Sequence, residues 1–359
     1  DAVNLGQGFP DSDGPPRMLE IAAEQIRAGN NQYGPGRGLP VLREAVAAQR
    51  QRDHGVTYDP ESEVLITVGA TEAISAAVLG LVEPGSEVIV LEPYYDAYAA
   101  AIALAGARRV AVSLVPDGDT WTLDIDAVRA AITADTAMLI INSPHNPTGS
   151  VFSAGVLTQL AAVCVEHDLL VLSDEVYEHL LFDVPHTPVA SLPGMRERTV
   201  TVSSAAKSWN VTGWKTGWAL APAPLLDAVI TAKQFMSYVG ATPFQPAVAH
   251  ALLHEGDWLA DMVTDLAAGR DLLVEGLRSA GLRVHDTFGT YFVIADIGDA
   301  QDGLEFCLQL PEKIGVAAIP VQVFCDDPEP WRSKVRFAFG KRHETLREGV
   351  RRLQLLGDH

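Results

Sequence analysis

Residues 137–149 read AMLIINSPHNPTG, an apolar run that ends in Asn and Ser and passes at once into a turn held by two prolines and a glycine. A short run that is apolar on every residue marks a strand buried on both faces, the situation of a parallel sheet sandwiched between helices. The turn Pro144-His145-Asn146-Pro147-Thr148-Gly149 is rigid and aims one amide, that of Asn146, from a fixed backbone. Turn chemistry accounts for the prolines and the glycine but not for an Asn between them.

Outward from this stretch the same rhythm repeats. EVLITV (63–68), EVIVL (87–91), RVAVSLV (109–115), LLVLSDE (169–175) and TVTVSS (199–204) are strands by the same criterion. Between them, stretches such as TEAISAAVLGLV and SAGVLTQLAAVCVEH place apolar residues at helical spacing. An α/β fold with a mostly parallel, doubly wound central sheet follows. Beyond residue 256 the pattern changes to a long helix-like stretch, then RVHD, TYFVIAD, GVAAIPV and KVRFAFG as strands, and a closing helix with Leu346, Val350 and Leu353 on one face. The expected organisation is a large domain over residues 30–255 and a smaller α+β domain built from 1–29 and 256–359. QYGPGRGLP (32–40) reads as an exposed loop.

Composition narrows the function classes. With 359 residues the chain can hold two lobes around a sizeable core. Its 46 acidic and 26 basic residues give a formal charge of −20, which opposes nucleic acid and anionic membranes as partners. Apolar stretches are broken before they reach the roughly 18 residues that span a bilayer. Cys164, Cys307 and Cys325 are odd in number and lack metal-type pairing, so reduced thiols in a cytoplasmic protein are expected. No signal-peptide pattern opens the chain, and Asp1 in place of Met leads us to expect native residues ahead of it. No His pair has metalloprotease spacing, so no metal is expected.

Ligands of open parallel sheets sit beyond the carboxyl ends of the strands, and the residues there are informative. After EVLITV comes Gly69-Ala70-Thr71-Glu72, a tight turn into a helix whose free N–H groups and Thr hydroxyl suit a phosphate; an ordinary Thr N-cap is the competing account. After EVIVL comes Tyr95, a ring for stacking on a flat heterocycle or for core packing. After LLVLS come Asp174 and, one helical turn later, Tyr177, with a helix-capping Asp as the alternative. After TVTVSS come Ser204 and Lys207, and then Lys215 just before the apolar run GWALA. A lysine just past a buried strand is hard to place structurally, because an ammonium buried without a partner is costly.

The series NLGQGFPD, TVGATEA, EPYYDAY, NSPHNPTG, SDEVY and SSAAKSWNVTGWKTGW resembles that of the class I/II aminotransferases of fold type I, and the resemblance runs nearly the whole chain, as far as VRFAF. It implies pyridoxal 5'-phosphate as cofactor, with Lys207 as its Schiff-base lysine and Asp174 paired with the pyridinium nitrogen. Tyr95 would stack on the ring, Asn146 and Tyr177 would bond its O3′, and Ala70, Thr71, Ser204 and Lys215 would hold the phosphate. Tyr33 would reach the phosphate of the neighbouring subunit in a homodimer. Arg336 would grip the substrate carboxylate through its planar fork, with Gly8 at the substrate edge and Asn146 also facing substrate. By itself Arg336 reads equally as a surface charge on an edge strand. The implied reaction moves an amino group between an amino acid and a 2-oxo acid in ping-pong fashion, with Lys207 carrying the proton.

Other readings are weaker. Ser204-Ala205-Ala206-Lys207 and Lys215-Thr216-Gly217 match the S-x-x-K and K-T-G of penicillin-binding acyl enzymes, but they lie too close together and no S-D-N separates them. GATEA and GPGRG lack dinucleotide-site spacing. A non-enzymatic regulator domain built on the aminotransferase fold is disfavoured by the acidity. A cysteine-S-conjugate β-lyase would use the same carbanion to expel a leaving group from Cβ. Within the family, NLGQGFPD, EPYYDAY and NVTGWK resemble the branch of kynurenine, methionine and glutamine-type aminotransferases. SYVGATPFQPAVAHAL and LPEKIGVAAIPVQVFC resemble actinobacterial N-succinyldiaminopimelate aminotransferases of lysine biosynthesis, which makes N-succinyl-LL-diaminopimelate and 2-oxoglutarate the expected substrates. PVQVFCDDPEPWRSK reads as a loop over the pocket whose acids would repel a dianionic substrate if they faced inward.

Overall fold

The apolar runs assemble into one seven-stranded sheet. The computed structural model describes residues 2–358. Its main strands are β1 (Val64–Val68), β2 (Glu87–Glu92), β3 (Arg108–Ser113), β4 (Thr136–Asn142), β5 (Leu170–Asp174), β6 (Thr199–Ser204) and β7 (Thr216–Leu220). They lie in the order β1-β7-β6-β5-β4-β2-β3. The pairs β2–β3, β2–β4, β4–β5 and β5–β6 are parallel, and β7 runs antiparallel to both its neighbours. The α/β fold with a mostly parallel sheet is therefore as expected. Two local readings differ. The run 109–115 leaves the sheet after Ser113, and Val115–Asp117 pairs instead with Thr120–Thr122. Tyr177 follows Asp174 on tight turns rather than on a helix, with Glu178 N bonded to Glu175 O.

Alternate residues of each strand enter different cores, because successive side chains of a strand point to opposite faces. Val88, Val90, Met138 and Ile140 pack under α3 (Gly69–Leu81), α4 (Asp96–Leu104) and α6 (Ala223–Gln234). Ile89, Leu91, Leu139 and Ile141 pack under α5 (Ala154–Glu166), whose first turn is capped by the Ser153 hydroxyl accepting from Val156 N. On that second face, Val64, Ile66, Trp218 and Leu220 meet α1 (Pro16–Arg27), α2 (Pro40–His54) and α7 (Gln245–His254). Helix α2 opens on Pro40 and stops at Gly55, whose φ of +69° suits a residue without Cβ.

A second, antiparallel sheet contains β8 (Arg283–Val284), β9 (Phe292–Asp296), β10 (Ile319–Pro320) and β11 (Lys334–Ala338), in the order β8-β9-β11-β10. The long helix α8 (Gly256–Ser279), α9 (Gly303–Lys313) and α10 (His343–Leu353) share its core through Leu273, Leu310 and Leu346. The N-terminal segment is laid along this unit. Val3 and Asn4 pair with Val316 and Ala317, and Ala338 N donates to Leu5 O at 2.6 Å. Gly6 and Gly8 are thereby brought to the edge of the large sheet.

A buried ion cluster fixes the chain just after β5. Arg50 donates to Glu175 at 2.7 Å and to Glu178 at 2.5 Å, and all three side chains are within 2% of full burial. Ser173 and Ser203 hydroxyls bond the remaining oxygens, and His186 and His54 approach the same two carboxylates. Burial opposes ionisation of Glu175, but Arg50 and His186 outweigh it and hold the group down to about 2. Its contribution to stability is thus present above the ordinary carboxylate range and lost as pH falls toward that value. Removing one partner strands a buried charge. Arg50→Met should lower the unfolding free energy at neutral pH by about 3–5 kcal/mol in denaturant titration. Adding Glu175→Gln and Glu178→Gln should recover part of the loss, and a triple variant as unstable as the single one would count against this account.

Candidate active site

The strand ends converge on one cavity of about 370 Å³. Gly8, Ala70, Thr71, Tyr95, Asn146, Asp174, Tyr177, Ser204, Lys207, Lys215 and Arg336 all line it. Of the residues singled out from the sequence, Tyr33 alone does not. It is 80% exposed on the surface, with its ring edge-on to Tyr238 at 5.4 Å.

The phosphate-type cup is built where β1 runs into α3. Val68 occupies the N-cap position and Glu72 accepts from Val68 N at 2.6 Å, so Thr71 is not the cap and its side chain faces the cavity. The N-terminus of this 13-residue helix carries free N–H groups and partial positive charge. Gly69, at φ +74°, leaves the space that the Lys215 side chain enters: a Cβ there would sit 3.1 Å from Nζ. Gly217 of β7 is equally constrained, since its Cβ would lie 2.7 Å from the Gly69 carbonyl carbon. Because β7 is antiparallel, its beginning, where Lys215 sits, lies at the same sheet edge as the ends of β5 and β6.

Asp174 ends β5 and is 4% exposed. Burial pushes it up to about 6, against the Tyr98 hydroxyl, which donates to Oδ2 at 2.6 Å, and Val176 N, which donates to Oδ1. Tyr98 was not singled out from the sequence, yet it stands one helical turn after Tyr95 on α4, a spacing that could have flagged it. Asn142 was also missed. Its Nδ2 donates to Asp174 O at 2.9 Å and its Oδ1 accepts from Asn146 N at 2.7 Å, so one side chain ties the Asp174 strand end to the proline turn. In that turn Gly149 is required by contact, because a Cβ would lie 1.8 Å from the Thr287 hydroxyl.

Arg336, on β11, is 6% exposed and has no ion-pair partner among the described residues. Its Nη1 donates to Asn146 Oδ1 at 2.9 Å and its Nη2 to Gly6 O at 3.0 Å, while Nε is buried without a partner. The guanidinium lies 4.0 Å from the Phe292 ring centroid and 5.1 Å from that of Phe324. Burial lowers its pKa to about 10. It is thus a buried cation, not a charge on a solvated edge. Lys207 follows β6 within the single turn Ala205–Ser208. Its Nζ donates to Tyr291 Oη at 2.7 Å and Gly8 O at 3.3 Å, and it too makes no ion pair among the described residues.

The acids of the strap after β10 do not face the cavity. Asp326 takes two bonds from Arg109, at 2.8 and 2.6 Å, and one from the Tyr94 hydroxyl at 2.6 Å, and the Asp326 and Asp327 amides bond Glu92. This anchor leaves Phe324 on the cavity wall, and exposed Asp96 is the acid besides Asp174 that lines it. Tyr291, Phe292 and Phe324 lie far along the chain from the strand ends, and no local pattern marked them.

The residues fit a phosphorylated heterocycle: a helix N-terminus with a lysine for the phosphate, a carboxylate deep in the cavity, a ring for stacking, and an amine. The family model for aminotransferase class I and II matches residues 1–353. A probable N-succinyldiaminopimelate aminotransferase, DapC, of Mycobacterium tuberculosis is 57% identical over 99% of this chain and 93% of its own length. The solved structure of the N-succinyldiaminopimelate aminotransferase from that organism superposes with a TM-score of 0.97 at 58% identity, covering 99% of this chain and 93% of that one. The methionine aminotransferase of Escherichia coli is 39% identical over 99% of this chain and 92% of its own length. Among the described residues no helix is long and apolar enough to cross a membrane, and no cluster suits a metal ion. The chain belongs to the class I and II aminotransferases, a pyridoxal-phosphate-dependent family, and is an aminotransferase of α/β fold type I.

Proposed function

We propose that the cavity holds pyridoxal 5'-phosphate and transfers the amino group of N-succinyl-LL-diaminopimelate to 2-oxoglutarate. The observation that carries the reading is a pair of basic groups, Lys207 and the buried Arg336, that open into one cavity with no ion-pair partner among the described residues. A buried guanidinium with an unbonded Nε is costly unless an anion completes it, and a substrate carboxylate has the matching planar geometry. The extent of the likeness to the mycobacterial enzyme supports the choice of donor. The phenyl rings of Phe292 and Phe324 beside Arg336 favour a second reading, a methionine- or kynurenine-type donor with an apolar side chain.

When bound, the cofactor supplies an aldehyde and an electron-accepting ring. Lys207 would hold the cofactor through its aldehyde and, as a free amine, would serve as the base that carries a proton at the substrate Cα. Asp174 would keep the ring nitrogen protonated, and the Tyr98 hydroxyl and the Val176 amide hold that carboxylate in place. Tyr95 would stack on the ring, Asn146 and Tyr177 would bond its hydroxyl oxygen, and Ala70, Thr71, Ser204 and Lys215 would hold the phosphate. Arg336 fixes the substrate carboxylate, with Gly8 and Asn146 beside it. Exposed Tyr33 completes the phosphate site of a second copy in a homodimer.

The decisive experiment mixes cofactor-loaded protein with N-succinyl-LL-diaminopimelate and follows the conversion of its absorbance to the pyridoxamine form. Conversion at micromolar donor is expected, and none in Lys207→Ala. If glutamate converts the protein and this donor does not, the substrate is wrong; conversion by methionine or kynurenine instead would establish the second reading. Arg336→Lys should cost on the order of 100-fold in kcat/KM, the equivalent of one charged hydrogen bond, and unchanged kinetics would remove Arg336 from the substrate site.

A third expectation concerns the apoprotein. Asp174 is raised from 3.8 to about 6, so its unfavourable burial is absent below the unfolded value and complete above the folded one. Asp174→Asn should therefore stabilise the apoprotein near pH 8 by about 3 kcal/mol, at about 1.36 kcal/mol per unit, with no gain below about pH 4. Denaturant titrations at the two pH values test this, and a gain that does not depend on pH would refute it.

A further inference from the structure

Tyr291 precedes β9 and is 2% exposed, its ring edge-on to Tyr177 at 5.5 Å and to Phe292 at 4.8 Å. Gly340 allows this seat, since a Cβ there would meet the Tyr291 ring at 3.2 Å. Three hydrogen bonds meet at its hydroxyl and at Gly8. Tyr291 Oη donates to Gly8 O at 2.5 Å, and Lys207 Nζ donates to Tyr291 Oη at 2.7 Å and to Gly8 O at 3.3 Å.

We propose that Tyr291 is a positioning residue for Lys207: its hydroxyl and the Gly8 carbonyl form a two-acceptor cradle that aims the lone pair of the lysine amine into the cavity. A carbonyl can only accept, so the Tyr291 proton is committed to Gly8 and the phenol oxygen turns its lone pairs toward the amine. Burial raises the pKa of Tyr291, so the phenol keeps that proton across the working pH range. A neutral amine has two N–H bonds and one lone pair. With both N–H bonds directed to Tyr291 and Gly8, the lone pair points away from them, toward the space that Lys207 lines. A phenol free to rotate would instead donate to that lone pair and block it. The cradle joins three separate parts of the fold: the N-terminal segment, the residue before β9, and the turn after β6. Lysine orientation thus depends on the second sheet and the N-terminal segment being docked on the large sheet.

This inference rests on the pyridoxal-phosphate reading, and its test separates the two. Apoprotein and its Tyr291→Phe variant are mixed with pyridoxal phosphate, and the rate of covalent capture is read by stopped-flow absorbance. Affinity for pyridoxamine phosphate, which has no aldehyde, is measured in parallel. The variant should capture pyridoxal phosphate roughly 10- to 100-fold more slowly and bind pyridoxamine phosphate within about twofold of the parent; its kcat should fall with KM little changed. Equal capture rates would overturn the cradle and leave the cofactor reading intact. An equal loss of pyridoxamine phosphate binding would also overturn it, by making Tyr291 a support of the cavity wall. A parent protein that captures no pyridoxal phosphate would overturn both.

Discussion

Val88 and Val90 enter one core and Ile89 and Leu91 another, and the same alternation holds along β4. The central sheet is therefore closed to water on both faces, and polar chemistry can be placed only at its strand ends. The rest of the molecule follows from this constraint. Five strand ends and the start of the antiparallel β7 meet at one edge, and the second sheet, with the N-terminal segment laid beside it, covers that edge and supplies Arg336, Tyr291 and Gly8.

The cavity is held ready at some cost in stability. Lys207 and Arg336 are basic groups without ion-pair partners among the described residues, and Asp174 is an acid pushed up to about 6 by burial. Each is supported by neutral groups: Tyr291 and Gly8 O for the lysine, Asn146 and Gly6 O for the arginine, the Tyr98 hydroxyl and the Val176 amide for the acid. Neutral partners orient a charge without cancelling it, which leaves the charge for a ligand to complete. Local destabilisation of this kind has to be offset elsewhere.

The segment just after β5 shows where. Asp174 and Tyr177 face the cavity, while Glu175 and Glu178 between and beside them turn inward to Arg50. All four carboxylate oxygens of the cluster are bonded, Oε2 of each acid by Arg50 and a histidine and Oε1 by a serine hydroxyl, so it holds the segment rigidly. Two cavity-lining side chains are thereby aimed by two structural ones on the same short stretch of chain.

How much of this was legible in the sequence depends on the range of the interaction involved. Period-two burial and short apolar runs are local, so the strands, the helices between them and the residues at each strand end could be read directly. Asn146, Asp174 and Lys207 could be placed at the cavity they line because strand ends are where an open parallel sheet leaves room for a ligand. Ala70 and Thr71 line the cavity too, and the competing account of Thr71 as a helix N-cap does not hold, since Val68 takes that position. Tyr98 was within reach, one turn from Tyr95. Only the tertiary structure decided what lies across the cavity: that Tyr291 and Gly8 meet Lys207, that Arg336 is buried between two phenyl rings, and that Asp326 turns to Arg109 and leaves Phe324 facing inward. The hydrogen bonds among them join residues 84 to 330 positions apart, whose meeting is set by how two sheets dock and leaves no periodicity in the chain.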